Sequence, residues 1–439
     1  MRKFSLIAAF GVLIAADAGA AAVIGGCQLY PADNIWNTPI DTAPVDANSA
    51  TYVSTIGGAV HVHPDFGTVY NGAPNGIPYV TVPGTQPAVP ISFYYPGDSD
   101  PGPYPLPPDA PIEGGPASNG DRHVLVVDRD NCMLYEVYDA HLQTDGSWSA
   151  GSGARWDLHS NALRTSTWTS ADAAGLPILA GLVRYDEVAS GTITHALRFT
   201  VPHTRNTFVW PGRHQASDLA GAQYPAMGQR FRLRANFDLT GYTPLMQVIL
   251  RALKKFVMMV ADNGSAWYLS GAPDPRWDDN DLHTLGQLTG NDFEAVDVSA
   301  LQISANSGQA LQPAPLAAPP PGANYDIDGD GRYDALTDGL LIVRYMLGLR
   351  GTALVSGATS PNATRSPAAI ETLLGQLGAA LDIDGDNVAN PLTDGVLVLR
   401  KMFGLAGDAL LPGAIAANAT RVTAAAVSTY MDGFLPPLP

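Results

Sequence analysis

The chain has 439 residues, with 24 Lys+Arg against 41 Asp+Glu and a formal net charge of −17. That excess of carboxylates repels phosphate backbones, so nucleic acid is not an expected partner, and it favours a soluble surface that attracts cations. The length exceeds what a single hydrophobic core normally spans, so more than one domain is expected.

Met1-Arg2-Lys3, an uncharged apolar run from Phe4 to Ala16 and the small residues Ala18-Gly19-Ala20 have the order of a secretory signal. Residues 1–20 are therefore read as a removed leader, and the protein as secreted: extracellular, cell-surface associated or periplasmic. No stretch reaches the roughly 20 apolar residues of a membrane span, so no transmembrane segment is expected. The two cysteines, Cys27 and Cys132, favour one disulfide in an oxidising compartment. The alternative is lipidation of Cys27 after Ile24-Gly25-Gly26, which Asp17 disfavours by interrupting the apolar run.

Residues 21–303 read mainly as strands, and a sandwich or jelly-roll-like β domain with one packed helix is expected. Short strands fit Ile77 to Val82, Ile91 to Tyr95 and Phe231 to Asn236. Arg122 to Val127 and Cys132 to Tyr138 flank the turn-type tetrad Asp128-Arg129-Asp130-Asn131 as a hairpin. From Ile193 to Val201 the pattern alternates, placing His195, Leu197 and Phe199 on one face and Arg198 on the other. Pro244 to Ala261 reads as a helix, with Asp262-Asn263-Gly264 ending it.

No serine-hydrolase elbow, zinc-protease or phosphate-loop motif occurs in this region. Glycoside hydrolases and polysaccharide lyases carry no such local signature, because distant strands contribute their acids, bases and aromatics. The densest polar-aromatic stretch, Trp168 to His214, supplies the candidate catalytic residues Asp172, Glu187, His195, Arg213 and His214. Their bland readings are a cap for Asp172, a solvated strand end for Glu187 and a core histidine for His195. His61 and His63 would share one strand face, with Asp65 following as a third ligand of a conceivable metal site, but the spacing alone is a weak signal and a plain polar strand edge before Pro64 is the ordinary reading. Tryptophans and tyrosines in or beside loops, including Tyr94 and Tyr95, suit a carbohydrate groove; buried loop anchors are the ordinary alternative.

Residues 304–324 are rich in Pro, Ala and Gly and nearly free of charge, as in an extended linker. Beyond them the chain repeats itself. Asp326-Ile-Asp328-Gly-Asp330 recurs as Asp382-Ile-Asp384-Gly-Asp386, Thr337-Asp338-Gly339 as Thr393-Asp394-Gly395, and Asn362-Ala-Thr-Arg365 as Asn418-Ala-Thr-Arg421, each displaced by 56 residues. Helices are expected at Gly339 to Leu349, Pro367 to Leu377, Gly395 to Leu405 and Thr423 to Phe434.

The acidic loops carry oxygen donors at alternate positions, as a calcium ion requires. The first offers Asp326, Asp328, Asp330, the Arg332 carbonyl, Asp334 and Asp338. The second offers Asp382, Asp384, Asp386, the Val388 carbonyl, Asn390 and Asp394, with Asn387 in the tight-turn position that Gly331 fills in the first. Two Ca2+ ions are expected. Residues 325–439 resemble the dockerin family of duplicated calcium-loop modules, which implies a small α-helical repeat domain that docks a secreted enzyme onto a cohesin. The long period, and Ala335-Leu336 and Pro391-Leu392 at the partner-reading positions, depart from that family and count against a cohesin-like partner. The sequence thus points to a secreted polysaccharide-active enzyme, a glycoside hydrolase ahead of a polysaccharide lyase, acting on a polysaccharide or cell-surface glycan. The alternative is a non-catalytic glycan-binding, adhesive or matrix protein.

Overall fold

The computed structural model describes residues 22–311, 318–416 and 419–435. The leader, part of the expected linker and Asn418 lie outside these residues. The chain divides near residue 312 into two units. No helix among the described residues is long and apolar enough to cross a membrane.

The first unit is rich in sheet. Its principal elements, in chain order, are α1 (Ser49–Ile56), β1 (His63–Asp65), β2 (Tyr79–Val82), β3 (Val124–Asp128), β4 (Met133–Tyr138), β5 (Ser152–Asp157), α2 (Tyr185–Ser190), β6 (Leu197–Val201), β7 (Arg230–Leu233), α3 (Pro244–Lys255), β8 (Met258–Asn263), β9 (Tyr268–Ser270) and β10 (Phe293–Val296). Six strands form a mixed sheet in the order β10-β7-β8-β6-β9-β1, and four form a second in the order β5-β4-β3-β2. Within these, β6 and β8, β9 and β1, and β2 and β3 run parallel.

The expected hairpin forms: β3 and β4 pair antiparallel, with Val126 opposite Tyr135. Their alternation sorts side chains to two sides, as a pleated strand must. Leu125 and Val127 enter the main core shared with the six-stranded sheet. Val124 and Val126 pack instead with Tyr104, Leu106 and Trp148. Cys27 and Cys132 are joined by a disulfide.

The expected long helix is two elements. Thr243 caps α3 by accepting from the Met246 amide at 3.3 Å, and Lys254 and Lys255 suit its last turn. The chain then turns through Val257, whose φ is +66°, and Met258–Asn263 becomes a central strand between β6 and β7. An apolar run such as Val257-Met258-Met259-Val260-Ala261 has no period that separates a buried strand from a buried helix, so only its partners decide. Similarly, Ile193 to Ala196 precede the strand rather than extend it.

Residues 304–311, expected as linker, belong to the first unit. The Gly308 amide donates to Asn161 O at 2.6 Å, its carbonyl accepts from the Ile35 amide at 2.8 Å, and Trp210 Nε1 donates to Ser307 O at 2.8 Å. Paired backbone overrides the composition of a linker.

The second unit is helical, built from α4 (Leu340–Met346), α5 (Pro367–Leu377), α6 (Asp394–Met402) and α7 (Ala424–Asp432), with shorter turns between. Ser366 and Thr423 cap α5 and α7, each accepting from the backbone amide three residues on. Both repeats share one core that includes Ile327, Leu341, Ile370, Leu374, Ile383, Leu397 and Met431. The contact is reciprocal: Gly339 abuts Leu399 and Met402, while Gly395 abuts Val343 and Met346.

Candidate functional site

In the first unit, a cavity of about 470 Å3 opens where the C-terminal end of β8 approaches residues 169–173. Asp98, Asp121, Asp172, Asp262, His214, Tyr95 and Tyr138 are among its lining residues. The backbone explains how Asp262 arrives there. Between Phe199 and Thr200 the register with β8 slips, so that Thr200 faces Asp262 and Ala261 is the extra residue of a bulge. Bulges re-aim neighbouring side chains. The Ala261 carbonyl then accepts from the Ala174 amide at 2.9 Å, which ties the Asp172 segment to the strand.

Asp172 is only 1% exposed. Its carboxylate accepts from Arg198 Nη2 at 2.9 Å and Nε at 3.2 Å, while Arg198 Nη1 donates to Ser270 Oγ at 2.7 Å. Burial pushes Asp172 above the ordinary aspartate value, with Arg198 pulling the other way. Asp262 is pushed up to about 7 by burial and then by the charge of Asp172. The cavity therefore places a carboxyl group that titrates near neutrality beside an ion-paired one.

Beneath it, His123 Nδ1 lies 2.6 Å from Glu113 Oε2, and Nε2 lies 3.0 Å from Ala171 O. Burial opposes the imidazolium, but Glu113 raises His123 to about 9, so both ring nitrogens donate. Glu113, Asp121 and His123 each offer a donor atom close enough to the others to hold one ion. His123, Glu113 and Asp121 carry no recognisable spacing in the sequence, because the fold alone brings them together.

The five sequence candidates divide. Asp172 and His214 line the cavity, and His214 Nδ1 lies 2.8 Å from Ala173 O. Glu187 and His195 form a separate cluster with Arg184: Glu187 Oε2 lies 2.8 Å from Arg184 Nε, and His195 Nε2 lies 3.2 Å from Glu187 and 2.8 Å from Arg184 Nη2. Arg213 is buried, and Nε, Nη1 and Nη2 donate to Arg164 O, Ala305 O and Asn306 Oδ1. It clips the 304–306 segment in place. Six of the seven tryptophans are buried, Trp168 being the exception, because flat hydrophobic rings anchor loops to the core. Tyr94, 78% exposed, and Tyr95 remain open to solvent. His61 and His63 are exposed, with His61 Nδ1 2.7 Å from Gly286 O, and they form no ligand group with Asp65 among the described residues.

In the second unit, Asp326, Asp328 and Asp338 offer oxygens within 4.8 Å of one another, as do Asp382, Asp384, Asp386 and Asp394. Oxygens on opposite sides of one hard cation are separated by about 5 Å, so either set fits around a single ion. The repeats match at the last aspartate of each loop. Asp338 accepts from the Ile327, Asp328 and Asp334 amides, and Asp394 from those of Ile383, Asp384 and Asn390. Gly331 and Asn387 both adopt left-handed backbone, φ +87° and +66°. Burial, and next the repulsion of neighbouring aspartates, pushes Asp384 up to about 6 and Asp386 up to about 7, a cost that a bound cation relieves.

The expected ligands are not all gathered. Asp330 and Asp334 lie outside the first group; Asp330 Oδ1 accepts from the Arg332 amide at 2.9 Å. In the second loop Asp386 joins the group, while Asp386 and Asn390 oxygens accept from the Val388 and Leu392 amides. Comparison with protein-family models, with curated proteins and with solved structures gives no match to this chain.

Proposed function

We propose that this protein is a secreted glycoside hydrolase whose C-terminal unit is a dockerin-like module holding two calcium ions. The observation that carries the enzymatic reading is the cavity in which burial and Asp172 hold Asp262 near pKa 7. A glycosidase needs a carboxylic acid that stays protonated at neutral pH to protonate the leaving oxygen. Asp262 takes that role. Asp172, bound by the Nε–Nη2 edge of Arg198, is the positioning charge that keeps the proton on Asp262. Asp121 and His214, at the same cavity, are the groups that can accept a proton from the attacking water. Tyr94 and Tyr95 offer exposed rings on which a sugar can stack.

Hydrolysis is favoured over lyase chemistry by charge. Lyases acting on uronic acids neutralise the sugar carboxylate, whereas the cavity is lined by four aspartates and its guanidinium partner is already spent on Asp172. A neutral polysaccharide is therefore the proposed substrate. Calcium is supported by all-oxygen donor sets duplicated at equal spacing; Asp326, Asp328 and Asp338 would hold one ion and Asp382, Asp384, Asp386 and Asp394 the other, and bound calcium would neutralise their clustered charge.

The test is release of reducing ends from a panel of neutral polysaccharides by the full chain, with ultraviolet absorbance recording any unsaturated product. Reducing ends formed by the wild type and lost in Asp262→Asn, with melting no lower than that of the wild type, are the expected result. Unsaturated product would make the enzyme a lyase. Binding without either product would establish the glycan-binding alternative. Calcium is tested separately by equilibrium dialysis, with two ions per chain expected and none overturning that part.

A further inference from the structure

Away from the carboxylate cavity, Arg230 on β7 is 1% exposed. Its only hydrogen bond among the described residues runs from Nη2 to Ile35 O at 3.3 Å, while Nε and Nη1 have no partner. Three N–H donors of a permanently charged group are thus buried without an acceptor. Leaving even one such donor unpaired costs on the order of 1–3 kcal/mol, and more where the group is charged.

The strand explains the position. Phe231 and Leu233 face the main core, so Arg230, one residue out of phase, turns to the opposite side of the sheet. There it lies opposite Val296 of β10 and beside an apolar cluster of Ile35, Ile40, Trp210, Val257 and Val298. Arg230 also lines a cavity of about 220 Å3 with Trp210, Gln229 and Val298. Trp210 Nε1 and Gln229 Nε2 are occupied by backbone carbonyls, so they do not compete for an acceptor placed in the cavity.

Burial lowers the Arg230 pKa, and no acidic group counters it. A guanidinium nevertheless keeps its proton in a protein, so the charge calls for a counter-ion. Asp46 and Asp297 reach the same cavity; Oδ1 of each accepts from the Asn48 and Ser299 amides respectively, and neither forms an ion pair with Arg230 among the described residues. Their charges disfavour a multiply charged ligand such as phosphate.

We infer that Arg230 and its cavity form a binding site for one small monovalent anion, a halide or a carboxylate, which serves as the counter-charge of the buried guanidinium. The anion joins the Ile35 segment, β7 and the Val296–Val298 edge through one charge. Its affinity for the folded state alone makes it a stabiliser.

The experiment compares thermal unfolding of the full chain with that of Arg230→Met, each titrated with sodium chloride and, separately, sodium acetate. General salt effects are common to both proteins, so their difference reports the site. The wild type is expected to show an additional, saturating rise in Tm of about 3 °C or more, and Arg230→Met to lack it. Methionine keeps the apolar contacts and removes an uncompensated charge, so it is expected to fold. The salt that saturates at lower concentration identifies halide or carboxylate as the better ligand. Equal responses in the two proteins overturn the inference. Should Arg230→Met fail to fold, chloride-35 NMR of the wild type decides: line broadening that acetate competes away supports the site, and an unbroadened line overturns it.

Discussion

Asp172 and Arg198 meet as a buried, two-point ion pair, with Nη2–Oδ1 at 2.9 Å and Nε–Oδ2 at 3.2 Å, although 26 residues separate them in the chain. The pair sits beside Asp262 and sets the charge that this neighbour feels.

Removing one partner of such a pair leaves an uncompensated buried charge, which typically costs about 3–5 kcal/mol. Arg198→Met is therefore expected to destabilise the first unit by that order. Arg198→Met combined with Asp172→Asn should recover part of the loss. Urea unfolding of the two single variants and the double variant measures both; additive losses would mean the two side chains are not coupled.

Asp262 gives the protein a particular pH dependence. Its folded pKa, about 7, lies above the ordinary aspartate value, so between roughly pH 4 and 7 the folded state holds a proton that the unfolded state has released. Stability from this group is thus present below the unfolded pKa and is lost as pH rises through the folded one. Asp262→Asn should match the wild type in stability near pH 4 and exceed it at pH 8. On the hydrolase reading, kcat/KM of the wild type should fall above about pH 7 as the acid ionises.

Glu187 is expected to matter for stability rather than turnover, because Arg184 and His195 enclose it away from the cavity. Glu187→Gln should lower the melting temperature and leave kcat within about threefold of wild type, a change of less than 1 kcal/mol in barrier. A loss of a hundredfold or more at unchanged melting would move the active centre to this cluster.

Asn387 occupies the left-handed position of the second acidic loop, with φ +66°. Asn387→Gly should be nearly neutral, whereas Asn387→Ala should cost about 1 kcal/mol, since a left-handed backbone is strained for residues with a Cβ and no compensating polar side chain. Differential calorimetry of the full chain in calcium buffer distinguishes the two.

Legibility in the sequence followed the distance over which each feature is encoded. The capped helix Pro367–Leu377 was readable because Ser366, Pro367 and the apolar spacing lie within one segment. The hairpin was readable because its turn and both strands are adjacent. The Trp168–His214 stretch held Asp172 and His214 but also Glu187, His195 and Arg213, since a polar side chain does not announce whether it will face a cavity, a salt bridge or a carbonyl. Asp262 read as a helix stop because the run before it is apolar throughout.

By itself the sequence determined the 56-residue repeat, the order of acidic residues in each loop and the left-handed turn that Asn387 shares with Gly331. These depend on spacing along one short piece of chain, which the backbone converts directly into geometry. Only the tertiary structure decided that Met258–Asn263 is a strand, that its bulge brings Asp262 to Asp172, and that Arg230 is buried without a partner. Those outcomes depend on which strands pair and which face they turn inward, a choice made by long-range burial rather than by any local pattern.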